Sequence, residues 1–366
     1  MSEGSNVRRI GVENGVCAEP ALARMSRRGF LARLGTGSAA LAAGSVGLIG
    51  CAGAEEDVAG SGSSYLAPTA RAGAEGAPEG TLTKSFVGLT RETEWSQVDA
   101  VSVGFDTHHP QGMTRVGDSF FMSSVETTVE PEKYGEIRDG YDRSQGEGVG
   151  HLFKFGADGE LIDEITLGED TIYHPGGIAY DGRYVWVPVA EYRPDSSSIV
   201  YRVDPESLEA TEVFRFPDHV GGLVSDPDAS ELHGVSWGSR RLYRWILDDS
   251  SEVTDADRPP EELFTLNNEH YVDYQDCEYV GDGMMLCSGV AAYQPLNAPK
   301  FNLGGIDLID LQTNALLHQV PVPLWTEEGL AMTQNPFFVE ERGSGLRFYF
   351  VPEDNDARLF VYDVEA

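Results

Sequence analysis

Three histidines recur at one place in a repeated phrase. His109, His174 and His219 each stand three positions before a glycine that opens a short apolar run, in Gly112-Met113-Thr114, Gly177-Ile178-Ala179 and Gly222-Leu223-Val224. Two further copies open on Cys277-Glu278-Tyr279 and Gly329-Leu330-Ala331, and the first of them carries Tyr274 at the histidine position. One residue before the phrase come Gln111, Gly176, Gly221, Asp276 and Glu328. Imidazoles converging with a carboxylate suit a borderline divalent cation such as zinc, iron or manganese, whereas calcium, which prefers oxygen, fits less well. Water on such an ion becomes a nucleophile near neutral pH. The expected roles are His109, His174 and His219 as metal ligands, with Glu126, Glu191 or Glu328 as ring-orienting group or catalytic base. The same histidines serve equally in direct ligand binding or in hydrogen bonds to backbone between repeats.

Such convergence needs a scaffold that brings distant repeats to one rim. Each phrase begins a short strand, followed by a turn and a more apolar second strand: Ser119 to Val125, Tyr184 to Ala190, Leu232 to Trp237, Met284 to Val290 and Leu346 to Val351. Third strands of alternating apolar pattern follow, as in His151-Leu152-Phe153-Lys154-Phe155 and Ile199-Val200-Tyr201-Arg202-Val203, and fourth strands such as Glu160 to Leu167 close the units. Long helical periods are absent. Four strands per unit, repeated at intervals of roughly 45 to 65 residues, predict an all-β propeller of five blades. The last unit lacks a fourth strand, which an N-terminal strand from Val98 to Phe105 is placed to supply. A sixth blade is the alternative, if Leu82 to Leu89 and Val129 to Val149 hold further strands.

The phrases His174-Pro175-Gly176-Gly177-Ile178-Ala179 and Asp181-Gly182-Arg183-Tyr184-Val185-Trp186-Val187 resemble blade openings of gluconolactonase, NHL and quinoprotein-like propellers. The resemblance implies an architecture and no chemistry. Gluconolactonase-like propellers hold a divalent ion through Glu, Asn and Asp, where this chain offers histidines. In such a fold the start of each innermost strand and the end of each second strand share one face around the channel mouth, which adds Glu353 to Glu126 and Glu191. Two long loops fall on that face: Glu126 to Gly150, with Tyr134 and Tyr141, and Ala291 to Asn302, with Tyr293, Gln294, Asn297 and Lys300.

The N-terminus reads as an export signal. Ser26-Arg27-Arg28-Gly29-Phe30-Leu31 resembles the twin-arginine pattern, and the uncharged run from Leu34 is too short and too rich in small residues to span a bilayer. It ends in Leu48-Ile49-Gly50-Cys51, which resembles a lipoprotein cleavage box, so Cys51 is the expected lipidation site. The expected organisation is a signal peptide over residues 1–50, with Met25 as an alternative start, a Gly/Ala/Ser-rich tether over 51–80, and the propeller over 81–366.

Composition narrows the partners. The chain has 26 basic and 60 acidic residues; six Arg and three Glu lie in residues 1–50, which leaves 20 against 57, or −37, beyond them. Such a charge repels nucleic acid. Cys277 and Cys287 flank the turn sequence Val280-Gly281-Asp282-Gly283-Met284, and a hairpin centred on Asp282 sets them opposite one another, as a disulfide or as two buried thiols. No Gly-x-Ser-x-Gly elbow, phosphate loop or haem-attachment motif occurs. Two functions are consistent with these features. One is a metal-assisted hydrolase of a small polar substrate, tethered outside the cytoplasm through Cys51; the other is a non-catalytic module binding a small polar ligand or a protein partner.

Overall fold

A strand buried on both faces sorts its side chains between two cores, because successive residues point to opposite sides. Val185-Trp186-Val187-Pro188-Val189 shows the effect: Val185, Val187 and Val189 join one buried cluster with Phe121 and Leu152, while Trp186 joins another with Tyr243 and Trp245. The same split recurs at Phe120, Phe121 and Met122, at Met285, Leu286 and Cys287, and at Phe348, Tyr349 and Phe350. Five sheets separated by five such cores must close into a ring.

The structure is a computed structural model that describes residues 80–365. Arg27, Arg28, Cys51 and the tether up to residue 79 lie outside the described residues. A short helix, α1 (Thr81–Gly88), precedes β1 (Ser96–Ser102). Blade one contains β2 (His109–Val116) and β3 (Ser119–Val129); an inserted hairpin of β4 (Lys133–Arg138) and β5 (Tyr141–Arg143) follows, then β6 (Glu147–Gly156) and β7 (Leu161–Leu167). Blade two is β8 (Ile172–Pro175) with its continuation β9 (Ala179–Tyr180), β10 (Val185–Glu191), β11 (Ser198–Val203) and β12 (Ala210–Phe216). Blade three is β13 (Val220–Asp226), β14 (Glu231–Ser236), β15 (Arg241–Ile246) and β16 (Phe264–Leu266). Blade four is β17 (Asp273–Tyr279), β18 (Met284–Tyr293), β19 (Phe301–Asp310) and β20 (Ala315–Val322). Blade five is β21 (Phe337–Arg342), β22 (Gly345–Phe350) and β23 (Arg358–Glu365), completed by β1, which pairs antiparallel with β23. The protein is thus a five-bladed propeller closed by an N-terminal strand.

Both segments that a sixth blade would have needed are otherwise employed. Residues 82–88 are helical, and Phe86 with Leu89 fills the core between blades four and five. Within residues 129–149, β4 and β5 form a separate two-stranded sheet, and the ends of the segment belong to β3 and β6. Gly329 does not open a blade: it lies in a tight turn at φ 87°, where Gly329 N donates to Thr326 O, and the innermost strand of blade five begins later, at Phe337. A left-handed turn favours glycine as strongly as close strand packing does, so the two kinds of glycine look alike in sequence. Among the described residues no helix is long and apolar enough to cross a membrane.

At the ring axis the innermost strands come very close. A Cβ on Gly112 would sit 2.5 Å from Gly177 Cα, and Gly177 itself bridges Gly222. Blade four places Asp276 where those blades place glycine. Its buried carboxylate spans the axis, accepting Met113 N at 2.8 Å and Phe337 N at 3.2 Å through Oδ2, and Cys277 N at 3.1 Å through Oδ1. Burial pushes this carboxyl well up, although the backbone donors pull it back. Glu278 beside it is raised by burial and then by the charge of Asp276. On β17 and β18, Cys277 lies opposite Cys287 with a Cα–Cα distance of 4.1 Å, and the two are joined by a disulfide.

Candidate functional site

The rim above the axis is shaped by bulges. Where each of β2, β13 and β17 pairs with its second strand, one residue is skipped: Gln111, Gly221 and Gln275. A bulge re-aims the residues around it. Because the bulge is common to these blades, their registers can be matched: His109 faces Val125, His174 faces Ala190 and Asp273 faces Val290. The counterpart of the histidines in blade four is therefore Asp273, and Tyr274 takes the place of Pro110 and Pro175. Sequence spacing cannot reveal this because Asp276 replaces the glycine on which the alignment rests.

His109, His174 and His219 meet in one pocket of about 240 Å³, lined also by Gln111, Tyr192, Trp237, Asp273, Tyr274 and Gln275. His174 is 6 % exposed and stacks on Tyr192 at 4.1 Å, yet neither of its ring nitrogens has a partner. Burial first, then the neighbouring His219 and His109, hold its pKa far below the ordinary imidazole value, so it is neutral at pH 7. His219 packs edge-on against Trp237 at 4.8 Å, and its Nδ1 donates to the Glu191 carbonyl at 2.9 Å. That partner is acceptor-only, which assigns the proton to Nδ1 and leaves Nε2 as a bare acceptor. Burial lowers the His219 pKa to about 4. His109 is more open and its Nδ1 lies 2.8 Å from Asp354 Oδ1.

The three carboxylates expected to serve these rings do otherwise. Glu191 is committed to Arg193 at 2.6 Å and to Thr171 Oγ1 at 2.8 Å, and reaches His219 through its backbone carbonyl alone. Glu328 is largely exposed, 3.8 Å from Arg358, and lines no part of the pocket, because the turn at Gly329 carries it off the rim. Glu126 lies next to His108 and His151. Glu353 is taken by Arg358, whose Nε is 3.0 Å away. The ligand atoms of His108, Glu126 and His151 all fall within 4.8 Å of one another; among the described residues this is the group so placed, and the rim histidines do not form one.

The blade-one insert reaches over the site. Arg143 lies 4.7 Å above the Trp237 ring of blade three, and Arg193 lies 3.4 Å above Tyr141. The second long loop instead extends β18 and β19, and Tyr293 stacks on Phe301 at 5.6 Å away from the pocket. Sequence reasoning missed Tyr192, Trp237, Asp273 and Gln275. Tyr192 and Trp237 each directly follow a second strand, so aromatic residues at that recurring position were the available signal.

A five-bladed β-propeller with a histidine- and aromatic-lined pocket at one end of its axis is the class that fold and site define. The chain belongs to the family of unknown function DUF6454, which matches over residues 79–365. No curated protein matches it. Solved structures with similar folds include a hypothetical protein from Leishmania major (12% identity, 74% of this chain and 90% of that one, TM-score 0.45). Others are a mannose phosphorylase from Leishmania mexicana (14%, 74% and 88%, TM-score 0.45) and regucalcin from Agrobacterium tumefaciens (11%, 73% and 95%, TM-score 0.36).

Proposed function

We propose that this protein is an exported, lipid-anchored binding propeller that captures a small polar, carbohydrate-like ligand at its channel mouth. The observation that carries the reading is His174: a buried neutral imidazole with both nitrogens unpartnered, at the wall of an open pocket. Leaving such a group unpaired costs about 1–3 kcal/mol, which ligand hydroxyls would recover once the Tyr192 ring stacked on it turns aside, because both nitrogens are themselves buried. A neutral imidazole offers one donor and one acceptor, as a sugar hydroxyl does, and Gln111 and Gln275 add amides of the same character. Tyr192 and Trp237 supply flat apolar faces with polar edges. The twin-arginine pattern at Arg27 and Arg28 and the box ending in Cys51 support export and anchoring; the acidic surface argues against a nucleic-acid partner. Metal-assisted hydrolysis at the rim lacks comparable support, since its histidines do not bring their ligand atoms together.

Saturation-transfer NMR with a panel of neutral hexoses, D-glucose and D-mannose included, tests the proposal. Transfer to at least one sugar is expected, and its loss in Trp237→Ala and His174→Gln. No transfer from any sugar, or transfer that survives both substitutions, overturns it.

A further inference from the structure

Beside the pocket, on the blade-one side of the mouth, three side chains unused by the proposed binding form a second constellation. His108 precedes β2, Glu126 lies near the end of β3, and His151 sits on β6, where it pairs with Ser124. Their ligand atoms all lie within 4.8 Å of one another. His151 Nε2 is 3.6 Å from Glu126 Oε2, too far for a good hydrogen bond. Although its side chain is only 10% exposed, neither ring nitrogen of His151 has a partner. Stacking on His108 at 4.7 Å and on Phe153 at 5.4 Å fixes the plane of the ring and satisfies none of its polar atoms.

We propose that His108, Glu126 and His151 bind a borderline divalent cation, zinc foremost. Two imidazoles and one carboxylate are the donor set such an ion prefers over calcium or magnesium, and three protein ligands leave a fourth position open. Tetrahedral bonds of about 2.0–2.1 Å place ligand atoms roughly 3.3 Å apart. Closing the present spacing to that value requires the stacked His108 and His151 rings to turn so that both lone pairs meet at one ion. Entry is provided by a cavity of about 380 Å³ lined by His108 and Glu126. Glu130 and Asp354 line it too, and no Lys or Arg does among the described residues, so the field there attracts cations.

Isothermal titration of the full chain with zinc chloride tests the site, with Glu126→Gln, His108→Gln and His174→Gln compared at equal thermal stability. Glu126 and His108 are not core residues, so their variants should fold even where a His151 variant does not. One equivalent of zinc is expected for the unaltered chain and for His174→Gln, with affinity weakened at least about tenfold in Glu126→Gln and His108→Gln. Absence of stoichiometric binding overturns the proposal. So does binding lost in His174→Gln but kept in Glu126→Gln, which would put the ion on the rim instead.

Discussion

Acidifying the protein should reveal the buried rim as a measurable stability slope, and His219 permits the magnitude to be worked out. It is 4 % exposed, with a pKa lowered from 6.5 to about 4 by burial. The unfolded chain takes up a proton as pH falls below 6.5, while the folded chain resists until about pH 4. The unfolded state therefore binds more protons within that window, and stability falls as pH falls through it. Between pH 7 and pH 5 the loss from this one residue is about 2 kcal/mol. Asp276 and Glu278 act with the opposite sign: their raised folded values make the folded state take up protons first, which adds stability on acidification. The slope of the unaltered protein thus mixes both, and the difference from His219→Gln isolates the histidine. Urea unfolding at several pH values, followed by tryptophan fluorescence, should show the unaltered chain losing about 2 kcal/mol more than the variant from pH 7 to pH 5. Parallel slopes would refute the claim that this ring is held neutral by burial.

Three other outcomes are expected. Asp276→Asn keeps the shape of the axial side chain but sets an NH₂ against backbone donors, and should cost about 2–4 kcal/mol in the same urea assay; a change under about 0.5 kcal/mol would mean the carboxylate does not pin the blades. Lys at both Arg27 and Arg28 should hold the protein in the cytoplasm, and Cys51→Ser should release the exported domain from the membrane fraction; sedimentation of Cys51→Ser with membranes would end the lipid-anchor reading.

How far the site was legible depended on the register of each residue. His109, His174 and His219 could be found because each precedes a glycine of the axial strand, at Gly112 and Gly177 one that close approach requires, and that phrase repeats with the blades. Asp273 could not, since Asp276 breaks the pattern in the blade that contains it. Glu328 was misplaced because a turn glycine imitates an axial one. Tyr192, Trp237 and the His108–Glu126–His151 group depend on which side chains meet across blades, a matter that periodicity within one strand does not address.

The sequence by itself determined the all-β class, the repeat of strands and the displaced strand that closes the ring. These follow from local rules: alternation, turn residues and the missing fourth strand after Arg358–Glu365, to which Ser96–Ser102 pairs. Only the tertiary structure decided which polar groups face one another. Bulges at Gln111, Gly221 and Gln275, the insert that sets Arg143 over Trp237, and the turn that removes Glu328 all act over distances of an ångström or a residue. Ligand recognition is sensitive at that scale, whereas strand formation tolerates it, which is why the architecture was legible and the chemistry of the rim was not.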